Sequence, residues 1–154
     1  MNPRDIMTLC TKSVFVLLTR KTNEFYATTI NSLTPVSVED GDFKIVIVVK
    51  NGFSRKTNSE FKNEFSISLL SQKQADIAQR FASSNRNSVQ DDSCLQFDEE
   101  LNIMTVLDAI FVLKCKVSNS VEIGKNELVI CNVVSFKKND NSLSPLTYTN
   151  RKYN

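Results

Sequence analysis

Histidine is absent from the 154 residues, and so is tryptophan. The first absence excludes Ser-His-Asp and Cys-His nucleophile pairs and zinc sites built on imidazole. If the chain is an enzyme, a bound cofactor carries its chemistry. The second, set against ten phenylalanines, describes an aliphatic core packed with Phe. The four cysteines, Cys10, Cys94, Cys115 and Cys131, show no C-x-x-C spacing. Cys115 and Cys131 lie in apolar runs, where a free thiol acts as a small hydrophobe, so packing is favoured over disulfide or metal roles. A concentrated basic stripe is also missing: the net charge is only +2 and the cations are dispersed, which argues against a nucleic-acid footprint. No apolar run approaches the length of a membrane span, and no secretory signal arrangement opens the chain. These features read as a soluble, cytoplasmic protein without membrane contact.

What is present is mostly strand. Residues 12–20 form an apolar strand candidate, 21–24 a polar turn, and 25–30 the returning arm of a hairpin. Residues 39–42 form a turn ahead of the most apolar stretch, 43–49, which reads as a strand buried on both faces. Residues 64–70 (EFSISLL) alternate as a further strand. Ser71 and Gln74 match a capping box opening a helix over 72–83, with Ala75, Ala78, Phe81 and Ala82 on one stripe. Residues 84–93 are a polar loop, and 101–107 a short strand or bend. Two long strands, 109–121 and 127–136, flank a turn at 122–126. One domain, 1–154, is predicted: a mainly β, antiparallel barrel of six or seven strands with one or two covering helices.

After the buried strand, Asn51-Gly52 leads to a polar segment, 54–62, able to form one or two helical turns. Ser54 is a good N-cap, and Arg55, Lys56 and Thr57 crowd the same end with cations and a hydroxyl. Such a start can hold a phosphate on its unpaired backbone N–H groups. It can equally be a capped surface helix with solvated Lys and Arg.

The ordered residues resemble a known family. The pattern is T-x-N-S-x-x-x-V-S at Thr29, Asn31, Ser32, Val36 and Ser37, then S-x-x-T at Ser54 and Thr57, then 64–70, then a helix ending Ala78-Gln79-Arg80-Phe81-Ala82. It continues through Leu107-Asp108-Ala109, the strand carrying Leu113, Cys115 and Val117, Gly124, Pro145-Leu146, and R-x-Y at Arg151 and Tyr153. This is similar to the flavin reductase-like domain, the family of small reductase components of two-component flavin monooxygenases.

The resemblance implies a six-stranded Greek-key split barrel, a homodimer, binding FMN (or FAD). NADH or NADPH delivers a hydride to flavin N5, and reduced flavin passes to a partner monooxygenase or other acceptor. Thr29, Asn31 and Ser32 would line the flavin ring and ribityl side, with Ser37 beside them. Ser54 and Thr57 would hold the phosphate, with Arg55 or Lys56 neutralising it, and Arg151 and Tyr153 would close the site. Read without the family, Asn31-Ser32 is also a plain turn, Arg151 a surface charge and Tyr153 an apolar cover.

Two departures from the family pattern matter. Where many members carry G-D-H, this chain has Gly124-Lys125-Asn126. Asn126 can hydrogen-bond and Lys125 can attract an anionic nucleotide, but neither titrates near neutrality as an imidazole does. Asp42-Phe43 stands where many members have Pro-Pro. The leading expectation is therefore an NAD(P)H:flavin oxidoreductase in which no residue acts as acid or base in the hydride step. The alternative is an FMN-binding electron-transfer module without efficient nicotinamide turnover. A partner- or oligonucleotide-binding barrel lacks the aromatic residues and basic stripe that single-strand binders use.

Overall fold

Val14 is where the first strand changes partners. In a computed structural model describing residues 2–21, 24–50, 64–82, 88–89, 93–139 and 142–154, the Val14 N–H donates to the Leu146 carbonyl and its carbonyl accepts from Leu70. The single strand expected over 12–20 is therefore two, β1 (Lys12–Ser13) and β2 (Phe15–Lys21). Ahead of them, a short helix α1 (Pro3–Met7) starts on an Asn2–Asp5 capping box with proline in its first turn.

The chain then runs through β3 (Glu24–Ile30), β4 (Leu33–Glu39), β5 (Asp42–Lys50) and β6 (Phe65–Leu69). After a 3-10 turn (Gln72–Gln74) and α2 (Ala75–Ala82) come β7 (Ser88–Val89), β8 (Leu95–Asp98) and β9 (Ile103–Val106). The long pair β10 (Phe111–Ile123) and β11 (Asn126–Lys138) precedes β12 (Thr147–Thr149) and β13 (Lys152–Tyr153). The main sheet has the order β4-β5-β11-β10-β6-β2-β3-β7, antiparallel throughout. β2 to β5, β10 and β11 each span seven residues or more, and the shorter β6 and β7 complete the order. The β5–β11, β10–β6, β6–β2 and β3–β7 neighbours are crossovers rather than hairpins, giving the Greek-key order. β1, β12 and β13 form a separate small sheet, and β8 and β9 a hairpin.

Two apolar cores occupy the two faces. Phe15, Leu17, Ile45, Ile47, Phe65 and Cys131 belong to one, and Val14, Val16, Leu18, Ala78, Phe81 and Leu146 to the other. β2 and β6 are thus the strands buried on both sides. β5, expected in that role, buries Ile45, Ile47 and Val49 but leaves Val46 half-buried and Val48 38% exposed. Its apolar outer face simply has no layer over it among the described residues. The alternation of β6 suggests one wet face, yet Ser66 and Ser68 are fully buried. The Ser66 hydroxyl donates to the Met104 carbonyl at 2.7 Å, and Ser68 Oγ accepts the Val106 N–H at 3.2 Å. Side-chain hydroxyls replace water as partners of a covering hairpin.

The capping box before α2 is present: Ser71 and Gln74 satisfy each other's backbone N–H groups, and Gln74 Nε2 donates to the Leu107 carbonyl at 2.8 Å. Ala78 and Phe81 are buried, whereas Ala82, placed by spacing on the apolar stripe, is exposed. The β10–β11 connection is tighter than expected, only Gly124-Lys125, with Gly124 at φ +60°. A positive φ at the first position of a two-residue turn is the arrangement glycine takes at least cost. Burial raises the thiol pKa values of Cys115 and Cys131, the latter to about 12, so both stay protonated and serve as packing groups.

The β8–β9 hairpin is held by Asp98. Its carboxylate accepts the Leu101 N–H at 3.0 Å and meets Lys137 Nζ at 3.1 Å. Burial pushes this carboxyl up, but the Leu101 N–H, Lys137 and the Glu100 N–H outweigh that and hold it below the ordinary aspartate range. A depressed folded-state pKa stabilises the protein above the unfolded pKa, and that stabilisation is lost as pH falls through the folded value. Melting wild type and Asp98→Asn side by side should show a gap in Tm at pH 6 that shrinks below about pH 4. A gap of constant size across that range would contradict the assignment.

Candidate functional site

Asn31 and Ser32 connect β3 to β4, and the Ser32 side chain fastens that connection to β5. Its Oγ donates to the Val48 carbonyl at 3.2 Å and lies 3.3 Å from the Val48 N–H, which it can accept. Asn31, Ser32, Leu33 and Thr34 form one wall of an open groove of about 400 Å³, and Thr11, Lys12, Ser13 and Phe15 form the other. The Asn31 amide makes no hydrogen bond among the described residues and is available to a ligand.

Leu33 also borders a second concavity of about 330 Å³, whose walls include Pro35, Phe43, Phe111, Leu113 and Phe136. The Phe15 and Phe111 rings, one on each side of the divide, have centroids 6.2 Å apart. Phe43 and Phe136 meet edge to face at 5.7 Å. A wall of hydroxyls, an amide and one cation thus adjoins an apolar trough. Volumes of this size suit small-molecule ligands.

The other residues singled out from sequence are distributed as follows. Thr29 Oγ1 donates to the Ala78 carbonyl at 2.7 Å, tying β3 to α2. Ser37 donates to Asp42 at 2.9 Å near the far end of β4, roughly 15 Å along the strand from Ser32. Asp42 also pairs with Lys44; these two partners hold its carboxyl below the ordinary range. Lys125 and Asn126 are exposed at the β10–β11 tip, and Asn126 pairs with Lys50. Ser32 and Asn126 therefore flank the same end of β5 from opposite sides, roughly 12 Å apart. Ser54, Arg55, Lys56 and Thr57, with the short helix expected there, lie outside the described residues.

Arg151 lies in the two-residue turn between β12 and β13, where both Asn150 and Arg151 have positive φ. Its guanidinium pairs with Asp5 at 2.8 Å. Tyr153 is half-buried with its ring centroid 5.0 Å from that of Tyr148. Neither residue lines the groove, but their hairpin abuts it: β12 pairs with β1, and the Thr149 hydroxyl meets that of Thr11 at 2.7 Å.

Thr11, Lys12, Ser13, Phe15, Leu33 and Thr34 are the groove residues that sequence reasoning missed. The signal lay in the hairpin register. Phe15 faces Ile30 and Arg20 faces Phe25, so extending the same register sets Ser13 beside Ser32.

Among the described residues no group of three or more Cys, Asp or Glu could hold a metal ion, and no helix is long and apolar enough to cross a membrane. No curated protein matches the chain. Solved structures do. The NADH:FAD oxidoreductase SgcE6 of Streptomyces globisporus C-1027, in complex with NAD and FAD fragments, superposes with a TM-score of 0.81 at 19% identity, over 98% of this chain and 88% of that one. The styrene monooxygenase flavin reductase SMOB of Pseudomonas putida S12 gives 0.81 at 20% identity, over 100% and 96%. The flavin reductase PheA2 gives 0.80 at 23% identity, over 100% and 97%. At such identities the likeness carries the fold, which is the split barrel of these reductases. The model of the flavin reductase like domain matches residues 7–154, and on that match, spanning both walls of the groove and the tail beside it, the chain belongs to the flavin reductase-like domain family.

Proposed function

We propose that the chain is an NAD(P)H:flavin oxidoreductase that transfers a hydride from reduced nicotinamide to N5 of FMN (or FAD) and supplies reduced flavin to an acceptor or a partner monooxygenase. The observation that carries this reading is the shared border at Leu33 between the polar groove and the apolar trough. An isoalloxazine has a hydrogen-bonding pyrimidine edge and an apolar benzenoid edge, so the donor set fits it. When bound, the flavin supplies the redox chemistry, and the protein supplies binding, orientation and electrostatics.

Asn31 through its amide, and Ser32 through its backbone since its hydroxyl is bonded to Val48, hold the polar edge of the ring and the ribityl chain. Thr29 acts by fixing the end of β3 against α2, and its hydroxyl is already committed to Ala78. Ser54 and Thr57 hold the phosphate with Arg55 or Lys56, and Arg151 and Tyr153 close the tail side. Ser37 is committed to Asp42, and we leave it out of the contact set. With no histidine in the chain, the hydride step uses no side chain that ordinarily titrates near neutrality. The protein works in the cytoplasm as a homodimer.

A second reading, an FMN-binding electron-transfer module, is favoured by Asn126 standing where many relatives have the histidine of G-D-H. One experiment separates the two. FMN is titrated into the protein, the visible spectrum followed, and NADH then NADPH added anaerobically. Binding followed by bleaching of the flavin band is expected, and it names the donor. Binding without bleaching favours the module, and no binding of FMN or FAD overturns both.

A further inference from the structure

The groove contains one cation, Lys12, and no carboxylate. The other half-buried lysines among the described residues have partners: Lys44 pairs with Asp42, Lys114 with Glu64, and Lys137 with Asp98 and Glu100. Lys12 is half-buried and makes no hydrogen bond or ion pair through its side chain among the described residues. Its backbone is fixed by pairing with Tyr148, so the ammonium group is presented from a built wall. Thr11, Ser13, Ser32 and Thr34 line the same groove, with the Ser32 hydroxyl already bonded to Val48. The Thr11–Thr149 contact needs only one of the two hydroxyl protons, which leaves a donor there for a ligand. A partly desolvated cation among neutral hydroxyl donors, with no acid to repel an anion, is the chemistry that recognises a phosphate oxygen.

We propose that Lys12, in the groove that Thr11, Ser13 and Thr34 also line, forms an oxyanion site that holds a nucleotide phosphate. The inference rests on the groove being a nucleotide site, as argued above, and adds a residue from a different sheet to it. Two sources share this chemistry: the phosphate of the flavin nucleotide, which Lys12 would share with Ser54 and Thr57, and the pyrophosphate of the nicotinamide dinucleotide.

The test compares wild type, Lys12→Gln and Lys12→Arg in equilibrium binding of FMN, riboflavin and NADH. Melting curves with and without inorganic pyrophosphate use the same three proteins. Lys12→Gln should lose about tenfold in affinity for one nucleotide, with Lys12→Arg retaining most of it. The loss should fade at high salt, where a charge contact is screened. Loss for FMN with riboflavin unchanged assigns the flavin phosphate, and loss for NADH with both flavins unchanged assigns the dinucleotide. Equal loss for FMN and riboflavin would overturn the phosphate assignment, as would unchanged affinity for all three ligands. Failure of wild type to bind any flavin or nicotinamide sinks the oxidoreductase reading instead. In that case pyrophosphate raising the Tm of wild type but not of Lys12→Gln supports the oxyanion site, and no difference between them overturns it.

Discussion

Truncating Phe65 to alanine is expected to cost about 3–5 kcal/mol, the usual range for a fully buried aromatic side chain. Phe65 is 0% exposed, begins β6 and pairs with Cys115 in the core shared by β2, β5, β10 and β11. Neighbours on strands paired to each other cannot collapse into the void without breaking register, so the site relaxes poorly. Against a total stability of about 5–15 kcal/mol, the loss is large enough to leave the variant marginal at room temperature. Phe97, 53% exposed on β8, is the internal control, and its truncation should stay within about 1 kcal/mol. Urea midpoints of the two variants decide the matter. A Phe65→Ala midpoint as close to wild type as that of Phe97→Ala would mean the core is not organised as described.

The second large effect concerns the ligand. Asn31→Ala should weaken flavin binding about tenfold while leaving Tm within about one degree, because its amide supports no described contact and a lost hydrogen bond to a bound group costs on the order of 1 kcal/mol. Ser32→Ala would be a poorer probe. Its hydroxyl bonds the backbone of Val48, so stability and affinity would fall together. Unchanged flavin affinity in Asn31→Ala would remove the groove wall from the flavin contacts.

Local signals in the chain were readable where the physics is local. The Ser71–Gln74 box, the β2–β3 hairpin and the long β10–β11 pair all follow from spacing within a few residues, and all three stand in the fold. The break at Val14 did not show, because it is caused by Leu70 and Leu146, far away in sequence. β8 went unnoticed for a related reason: Leu95–Asp98 is too short to declare itself and gains its order from β9 and from Lys137. β5 misled because hydrophobicity reports what could be buried, whereas burial depends on whether another layer arrives. At the candidate site, Asn31 and Ser32 stand in the groove wall. Lys12 had no motif to announce it, since what distinguishes it is partial burial without a partner, which only the fold creates. Ser37 looked like a neighbour of Ser32 by sequence, but an extended strand carries it roughly 15 Å away.

The meeting of Thr149 with Thr11, 138 positions apart, bears on the order of events during synthesis. A ribosome delivers β1 long before β12, so the wall carrying Lys12 waits for its hydrogen-bonding strand until nearly all of these residues have emerged. Pairings of such sequence separation form late and slowly. Any ligand of the groove therefore has no finished wall to meet while the barrel is still being made. Ligand capture becomes a report that the tail has docked.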